Sequence, residues 1–524
     1  MAAEAAGAAV RPSLAGEGLA FKSGPGRWVL AIAVLGSGMA FLDGTVVNVA
    51  LPDIGRDFDA STAALQWILN GYLLTLASVI LLGGSLGDRY GRRRIFVIGV
   101  IVFSAASLLC AIAPNAELLI AARLLQGVGG ALLTPGSLAM IEASFRPSDR
   151  APAIGAWSGL GGVAAAIGPL LGGYLVEAVS WRAIFLINIP LGVFVAIAAT
   201  RHVPETRDPM ARGPLDLLGA ALAAAGLAGT TYALIEGPDG NATLVSAAAI
   251  VGVIALVAFV VTERRSRNPM MPLDIFGSRQ FTAANLVTFV VYAALGGVFF
   301  LLVAFLQISM GYTPIAAGAA TLPVTGFMLV LSARAGALAQ RIGPRIPLTI
   351  GPLVIAAGLL LMLRISPGDS YVLSVLPAVI VFALGLTLVV APVTATVLAA
   401  ADARRAGIAS GINNAVARVA GLLAVALLPL IAGLTGDSFY DPASMTDGFR
   451  IAVISCAGLA AAGGILAWLT ISSDVLHAEP EPGGVEPTQV LREISCGAPG
   501  PLLRPGREAE CKPVVVERVR AHAS

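Results

Sequence analysis

The sequence predicts an all-α integral membrane protein of fourteen transmembrane helices, arranged as two six-helix halves with two inserted helices between them. Three observations carry this. Hydrophobic residues make up 57% of the 524 positions and charged residues only 12%, about half the roughly 25% charged share of a soluble domain. Lipid must therefore be the solvent for most of the chain, in keeping with a mean hydropathy of +0.86. Fourteen stretches approach the roughly 20 mostly apolar residues that cross a hydrocarbon core. A charged, glycine-marked loop also occurs twice. Residues 84–94 read Gly-Ser-Leu-Gly-Asp-Arg-Tyr-Gly-Arg-Arg-Arg, and 252 positions later residues 336–345 read Gly-Ala-Leu-Ala-Gln-Arg-Ile-Gly-Pro-Arg. Gly84, Leu86, Arg89 and Gly91 fall on Gly336, Leu338, Arg341 and Gly343.

Residues 1–27 are polar and Ala/Gly-rich and lack the apolar core of a signal peptide. They are expected to form a cytoplasmic segment, with the first span directing insertion. The first half, 28–203, holds spans at 28–50, 64–86, 95–113, 117–141, 151–176 and 183–203. Residues 204–263 hold a linker and the inserted spans 215–235 and 242–263. The second half, 264–472, holds spans at 281–308, 314–336, 345–364, 371–398, 407–434 and 449–472. Residues 473–524 are rich in Pro, Gly and Glu and are expected to be a disordered cytoplasmic tail. Many spans are full of Gly, Ala and Pro, a poor composition for a helix in water but one that suits close helix packing in lipid. The repeated loop joins spans 2 and 3 and again spans 10 and 11, which places spans 1–6 on spans 9–14. Arg150-Ala151 and Arg405-Ala406, opening spans 5 and 13, echo the same offset. Parallel repeats of this kind place a substrate site at their interface near the midplane.

Arginine placement sets the orientation. One set of alternate loops carries Arg89, Arg92, Arg93, Arg94, Arg146, Arg150, Arg201, Arg207, Arg212, Arg264, Arg265, Arg267, Arg279, Arg341, Arg345, Arg404 and Arg405. The opposite set holds little beyond Arg56, Arg182, Arg364 and Arg450. The rich set is expected in the cytoplasm, with both termini, in a multi-pass protein of the cell membrane. The sequon at Asn241-Ala242-Thr243 then falls outside. A net charge of +2 confined to loops points to no nucleic acid. Cys110, Cys456, Cys496 and Cys511 form no metal-type or redox pair. His202, His477 and His522 lie outside the spans, which argues against histidine proton relays.

Residues Gly84 to Arg94 resemble the signature loop of the major facilitator superfamily, and other stretches are similar to its fourteen-span drug:proton antiporter branch, the EmrB/QacA type. Span 1 carries Leu42-Asp43-Gly44-Thr45-Val46-Val47-Asn48-Val49-Ala50-Leu51-Pro52; span 4 carries Arg123-Leu124-Leu125-Gln126-Gly127-Val128-Gly129-Gly130. Span 5 carries Gly168-Pro169-Leu170-Leu171-Gly172-Gly173, similar to the antiporter motif, and Trp181 to Pro190 also fits. The resemblance covers residues 28 to 472 and implies the major facilitator fold. One departure is plain: the second loop has Gln340 where the first has Asp88.

Ionisable groups inside a bilayer are costly and face a cavity or a partner. Asp43 lies roughly 22 Å along span 1 from Trp28, and Arg123 about 9 Å into span 4 from the opposite edge. Both depths fall in the outer third, so a pair forms if spans 1 and 4 are neighbours, as the resemblance implies. Burial disfavours a charged carboxyl and a guanidinium favours it, so a proton-exchanging group and a static brace both fit. Gln126 shares the Arg123 face and either holds Arg123 or contacts substrate. Gly168-Pro169 breaks span 5, and Gly172 and Gly173 admit a neighbour. In the family this region is associated with closing the outer side against proton leak; a simple packing kink is the alternative. The resemblance makes Gly84, Asp88, Gly91 and Arg92 a latch, with Asp88 against the start of span 11 near Ile346 to Thr349; a purely topogenic arginine cluster is the alternative. Arg418 lies roughly 16 Å deep in span 13, with Asn414 one turn below on the same face; both are candidates for the substrate cavity, and Arg418 serves either substrate contact or bracing.

The glycine run of span 4 is followed by no Gly-Lys-Ser/Thr, so it is no phosphate loop, and energy should come from an ion gradient. The expected function is export of amphipathic, often cationic compounds in exchange for protons, by a monomer in the bilayer with no cofactor and no metal. It is not an enzyme, since no nucleophile–base set or metal cluster is visible. Export of one endogenous metabolite is the nearer alternative, and an uptake symporter or a non-transporting receptor the further ones.

Overall fold

The computed structural model describes residues 18–208, 214–237, 240–402 and 405–476. The remainder of the expected N-terminal segment and tail lies outside the described residues. Among the described residues, fourteen helices are long and apolar enough to cross a membrane. They are α1 Gly24–Phe58, α2 Thr62–Tyr90, α3 Arg92–Ala111, α4 Ala116–Ser144, α5 Pro147–Ala178, α6 Ala183–His202, α7 Leu217–Glu236, α8 Ala242–Arg265, α9 Arg279–Ile308, α10 Pro314–Ile342, α11 Arg345–Met362, α12 Tyr371–Ala399, α13 Ala406–Ile431 and α14 Pro442–Thr470.

Each helix follows one of the apolar stretches, but several overshoot it. Apolarity marks the hydrocarbon crossing, whereas a helix continues until its backbone is capped. Ser23, Ser61, Asn115, Asn241, Ser278, Thr313 and Asp441 each accept a backbone N–H of the first turn at the start of α1, α2, α4, α8, α9, α10 and α14, satisfying donors that a helix start otherwise leaves free. Asp441 thus starts α14 well before the apolar stretch, with Asp447 in the added turns, 3.7 Å from Arg450. Asn241, noted above as part of a sequon, takes the N–H groups of Thr243 and Leu244. Breaks in the helical hydrogen-bond ladder divide α6 at Ile187 and α10 at Thr321; the second precedes Pro323, which supplies no N–H to the ladder.

The packing repeats. Within α1–α6, α1 packs on α5, α2 and α3 on α4, and α3 on α6. Within α9–α14, α9 packs on α13, α10 and α11 on α12, and α11 on α14, each pair eight helices on. The two groups meet along two seams related by the same offset, α5 with α10 and α2 with α13, and α1 also touches α9. The inserted helices α7 and α8 pack on one another, and α7 lies against both α2 and α13, so it covers one seam. In the α8 crossing only 11% of the residues are buried, which leaves it largely to lipid.

The α5·α10 seam is uneven. At its arginine-poor end, a Cβ on Gly173 would stand 2.4 Å from the Pro314 carbonyl oxygen, and one on Gly318 2.1 Å from that of Pro169. Toward the arginine-rich end, a Cβ on Gly155, Gly159, Gly162 or Gly326 would meet nothing within 4 Å. Hydrogen bonds reinforce the tight end. The Gln66 amide donates to the carbonyls of Val425 and Ala426, Thr62 to that of Gly436, Gln307 to that of Val49 and Tyr440 to that of Ala60. The groups are thus joined at the arginine-poor end and parted along this seam at the other.

Candidate functional site

A cavity of about 370 Å³ lies between the two groups. α1 contributes Gly44, Thr45 and Asn48, α9 Tyr292 and Phe299, and α13 Arg418. Arg123 forms part of the wall and carries the polar cluster behind it. The structure brings Asp43 and Arg123 together as a salt bridge, both fully buried. Gln126 completes the ring: its amide donates to Asp43 Oδ1 at 2.8 Å and to Ser107 Oγ at 2.9 Å, and its Oε1 accepts from Arg123 Nη1 at 2.7 Å. Arg123 Nε donates to the Ile68 carbonyl at 3.0 Å. The guanidinium lies 4.5 Å from the Tyr72 ring centroid, and Tyr72 donates to the Ala40 carbonyl. Removing ions from water is expensive unless their remaining hydrogen-bonding capacity is met, and here four elements meet it. The carboxylate, the guanidinium and the cavity wall are therefore one connected unit.

Asn414 and Gln126 were both candidates for the cavity surface. Neither belongs to its wall. Gln126 is fully buried with its capacity spent on Asp43, Arg123 and Ser107, and the Asn414 amide turns back to the Ser410 carbonyl at 3.0 Å. Arg418 does reach the wall, with its guanidinium 5.9 Å from the ring centroid of Phe41. Ser107, Tyr72 and the Ile68 carbonyl are the site members that sequence reading missed. Nothing in a single apolar span signals which neighbour its hydroxyl will face.

The antiporter motif lies at the tight seam and against α1. A Cβ on Gly168 would stand 2.0 Å from Thr45 Oγ1, and one on Gly172 2.5 Å from a Val46 methyl; Pro169 belongs to the cavity wall. Trp181 Nε1 and Arg182 Nη1 both donate to Asp57, at 3.0 and 2.8 Å, tying the segment after α5 to α1.

The expected contact of Asp88 with the start of α11 is not what the structure shows. α2 packs along α13, and α11 packs on α12 and α14. The repeat explains the correction: the seam equivalent to α5·α10 is α13·α2, so α2 must face α13. Asp88 pairs with Arg92 at 2.7 Å, and its carbonyl accepts from the Asp208 N–H at 3.0 Å. Gly84 faces Pro135 of α4, where an added Cβ would stand 3.8 Å from the Pro135 Cβ, an ordinary van der Waals contact. Gly91 and its repeat counterpart Gly343 both take positive φ, +116° and +81°, which explains why glycine recurs in the loop. Gly91 also lies against Glu205, which accepts the Arg93 N–H at 3.2 Å. Gly91→Ala should cost about 1–3 kcal/mol through backbone strain, read as a lower midpoint in thermal unfolding of the purified protein. An unchanged midpoint would show that the loop relaxes.

Fourteen crossing helices, a repeated six-helix packing pattern and a cavity at the interface of the repeats define a multi-pass membrane transporter for small molecules. The chain belongs to the Major Facilitator Superfamily, whose family model matches residues 33–425, and within it to the fourteen-span drug-exporter type. The puromycin resistance protein pur8 of Streptomyces alboniger is 35% identical over 464 residues, 86% of this chain and 92% of the relative. The multidrug resistance protein Stp of Mycobacterium tuberculosis is 38% identical over 397 residues, 75% of this chain and 73% of the relative. Among solved structures, a bacterial homologue of the lysosomal transporter Spinster superposes with a TM-score of 0.62 at 18% identity, over 86% of this chain and 97% of that one. That likeness concerns the fold.

Proposed function

We propose that this chain is a proton-coupled antiporter that exports amphipathic small molecules across the cytoplasmic membrane by alternating access. The observation that carries the reading is the sealed Asp43–Arg123–Gln126 unit adjoining the interface cavity. A proton delivered to Asp43 removes one charge of the pair and leaves Arg123 seeking another partner at the cavity wall, which couples protonation to the wall's chemistry. A potential of 100 mV supplies about 2.3 kcal/mol for each charge carried, enough to drive uphill export without nucleotide. The halves 28–203 and 264–472 move as the two rocking bodies, with the pair in 204–263 carried at the α2·α13 seam. With the arginine-rich loops and both termini in the cytoplasm, the tight seam faces outward and this conformation opens inward. The protein works as a monomer in the bilayer, without cofactor, and is not an enzyme.

The relatives named for multidrug and puromycin resistance support a drug substrate. A dedicated exporter of one endogenous compound is the second reading, favoured by 36% identity to a probable actinorhodin transporter of Streptomyces coelicolor over 436 residues. Inverted membrane vesicles incubated with neutral, anionic and cationic dyes, with and without an imposed pH gradient, test the proposal. Gradient-driven accumulation of at least one dye, collapsed by a protonophore, is the expected result. Movement of no dye, or movement indifferent to the gradient, would refute it for these substrates and coupling ions.

A further inference from the structure

The cavity wall carries a charge that proton coupling does not use. Arg418 projects from α13 into the cavity beside Tyr292 and Phe299 of α9, and reaches across the interface toward Phe41 of α1. Among the described residues it has no carboxylate partner and no hydrogen-bond acceptor; its one specific contact is the Phe41 ring, 5.9 Å away. The second arginine of the wall, Arg123, is already balanced by Asp43, and no Asp or Glu belongs to the described wall. The interior that a substrate meets is therefore apolar and aromatic with one uncompensated positive charge. A cation placed there would face Arg418 with no countercharge, because the Asp43 carboxylate is fully buried and engaged by Arg123 and Gln126. Like-charge juxtaposition of that kind suppresses binding.

A guanidinium is a planar fork of donors suited to bidentate capture of an acid group, and it is more weakly hydrated than an ammonium. Rings around it supply the apolar remainder of a pocket whose volume lies in the range of drug-sized ligand sites. We infer that Arg418 anchors the acid group of an amphipathic aromatic anion, so that the substrates this cavity prefers are ring systems bearing a carboxylate or a comparable ionised acid. This rests on the transporter reading and replaces the cationic preference expected from the sequence.

Equilibrium binding to the purified, detergent-solubilised full chain tests it independently of transport. The probes are 9-anthracenecarboxylate, its neutral methyl ester and the cationic 9-(aminomethyl)anthracene, which share one fluorescent ring. The carboxylate should bind about tenfold or more tightly than the amine. Arg418→Gln should weaken the carboxylate by about 10–100-fold and leave the ester within about twofold, which also shows that the variant is folded. Arg418→Lys should restore part of the loss. An amine that binds as well as the carboxylate, a variant that weakens all three probes alike, or no binding by any probe would each overturn the inference. Gradient-driven dye export without carboxylate preference would sink the anion site and leave the exporter standing; carboxylate-selective binding in a chain that moves no dye would do the reverse.

Discussion

Asp43→Asn should abolish gradient-driven export while leaving the protein folded in the membrane. The substitution keeps the shape of the side chain and removes its titratable charge. Arg123 would retain the Ile68 carbonyl and Gln126 Oε1 as acceptors, but its charge would be unbalanced in a fully buried setting. Breaking a buried pair from one side costs about 3–5 kcal/mol in soluble proteins. A lowered thermal midpoint is therefore expected beside the lost coupling, and by itself it would not distinguish a proton site from a brace. The double substitution Asp43→Asn, Arg123→Gln separates them. With both charges gone, the penalty for an unpaired ion disappears, and stability should return to within about 1.5 kcal/mol, the scale of one neutral hydrogen bond. Proton-driven export should stay at least about 100-fold down, a barrier equivalent of about 2.7 kcal/mol, while passive exchange of dye between equal compartments continues. Full gradient-driven export by either variant would show that Asp43 is not the coupling group. Recovery of export along with stability in the double variant would make the pair a brace.

The helices were legible because crossing a membrane is a one-dimensional property: length and apolarity suffice, and each stretch became a helix. Depth along a helix is one-dimensional too. That is why Asp43 and Arg123, entering from opposite edges, could be matched before any fold was known. Lateral neighbourhood is different. The polar residues of a span such as α2, Gln66 and Asn70 among them, do not name the helix they face, so nothing along it chooses between α11 and α13, and the contact that the resemblance implies for Asp88 falls on the wrong partner. The repeat contained the answer, since its pairing rule carries α5·α10 onto α13·α2. Gln126 illustrates the same limit at the level of one side chain. Its position on the Arg123 face was readable, but the Ser107 hydroxyl that turns its amide away from the cavity belongs to another helix. The caps of α1 and α14 lie outside the hydrocarbon, where apolarity carries no signal, and so the helix ends were misplaced by several residues. The glycines of α5 are alike in sequence and unlike in place. Gly155, Gly159 and Gly162 face open space, whereas Gly168, Gly172 and Gly173 sit against other backbones and side chains.

That contrast along α5 sets the second large effect. Gly318→Leu should cripple transport, whereas Gly155→Ala should be neutral or slightly stabilising. A Cβ at residue 318 would stand 2.1 Å from the carbonyl oxygen of Pro169 and 2.7 Å from its carbon. The obstacle is backbone, which cannot swing aside as a flexible side chain can, so α5 and α10 must separate at the arginine-poor end. Overpacking of a tight contact costs about 1–3 kcal/mol, and 3 kcal/mol shifts a two-state balance by about 150-fold. An alternating transporter needs both of its states populated, so a penalty confined to the sealed one lowers turnover by a comparable factor. Spin labels on the arginine-poor ends of α5 and α10 read the effect directly: the short-distance population of the unaltered protein should collapse in Gly318→Leu. Gly173→Leu should act on the same seam from the other helix, because its Cβ would meet the Pro314 carbonyl at 2.4 Å. The two substitutions together should cost little more than one, since a seam already parted cannot be parted again. Gly155→Ala meets nothing within 4 Å and gains up to about 1 kcal/mol of helix propensity by the soluble scale. Unchanged spin-label distances in Gly318→Leu would show that the seam yields by local adjustment. Loss of transport in Gly155→Ala would place a contact on that face in a second conformation, the one in which the arginine-rich ends of α5 and α10 come together.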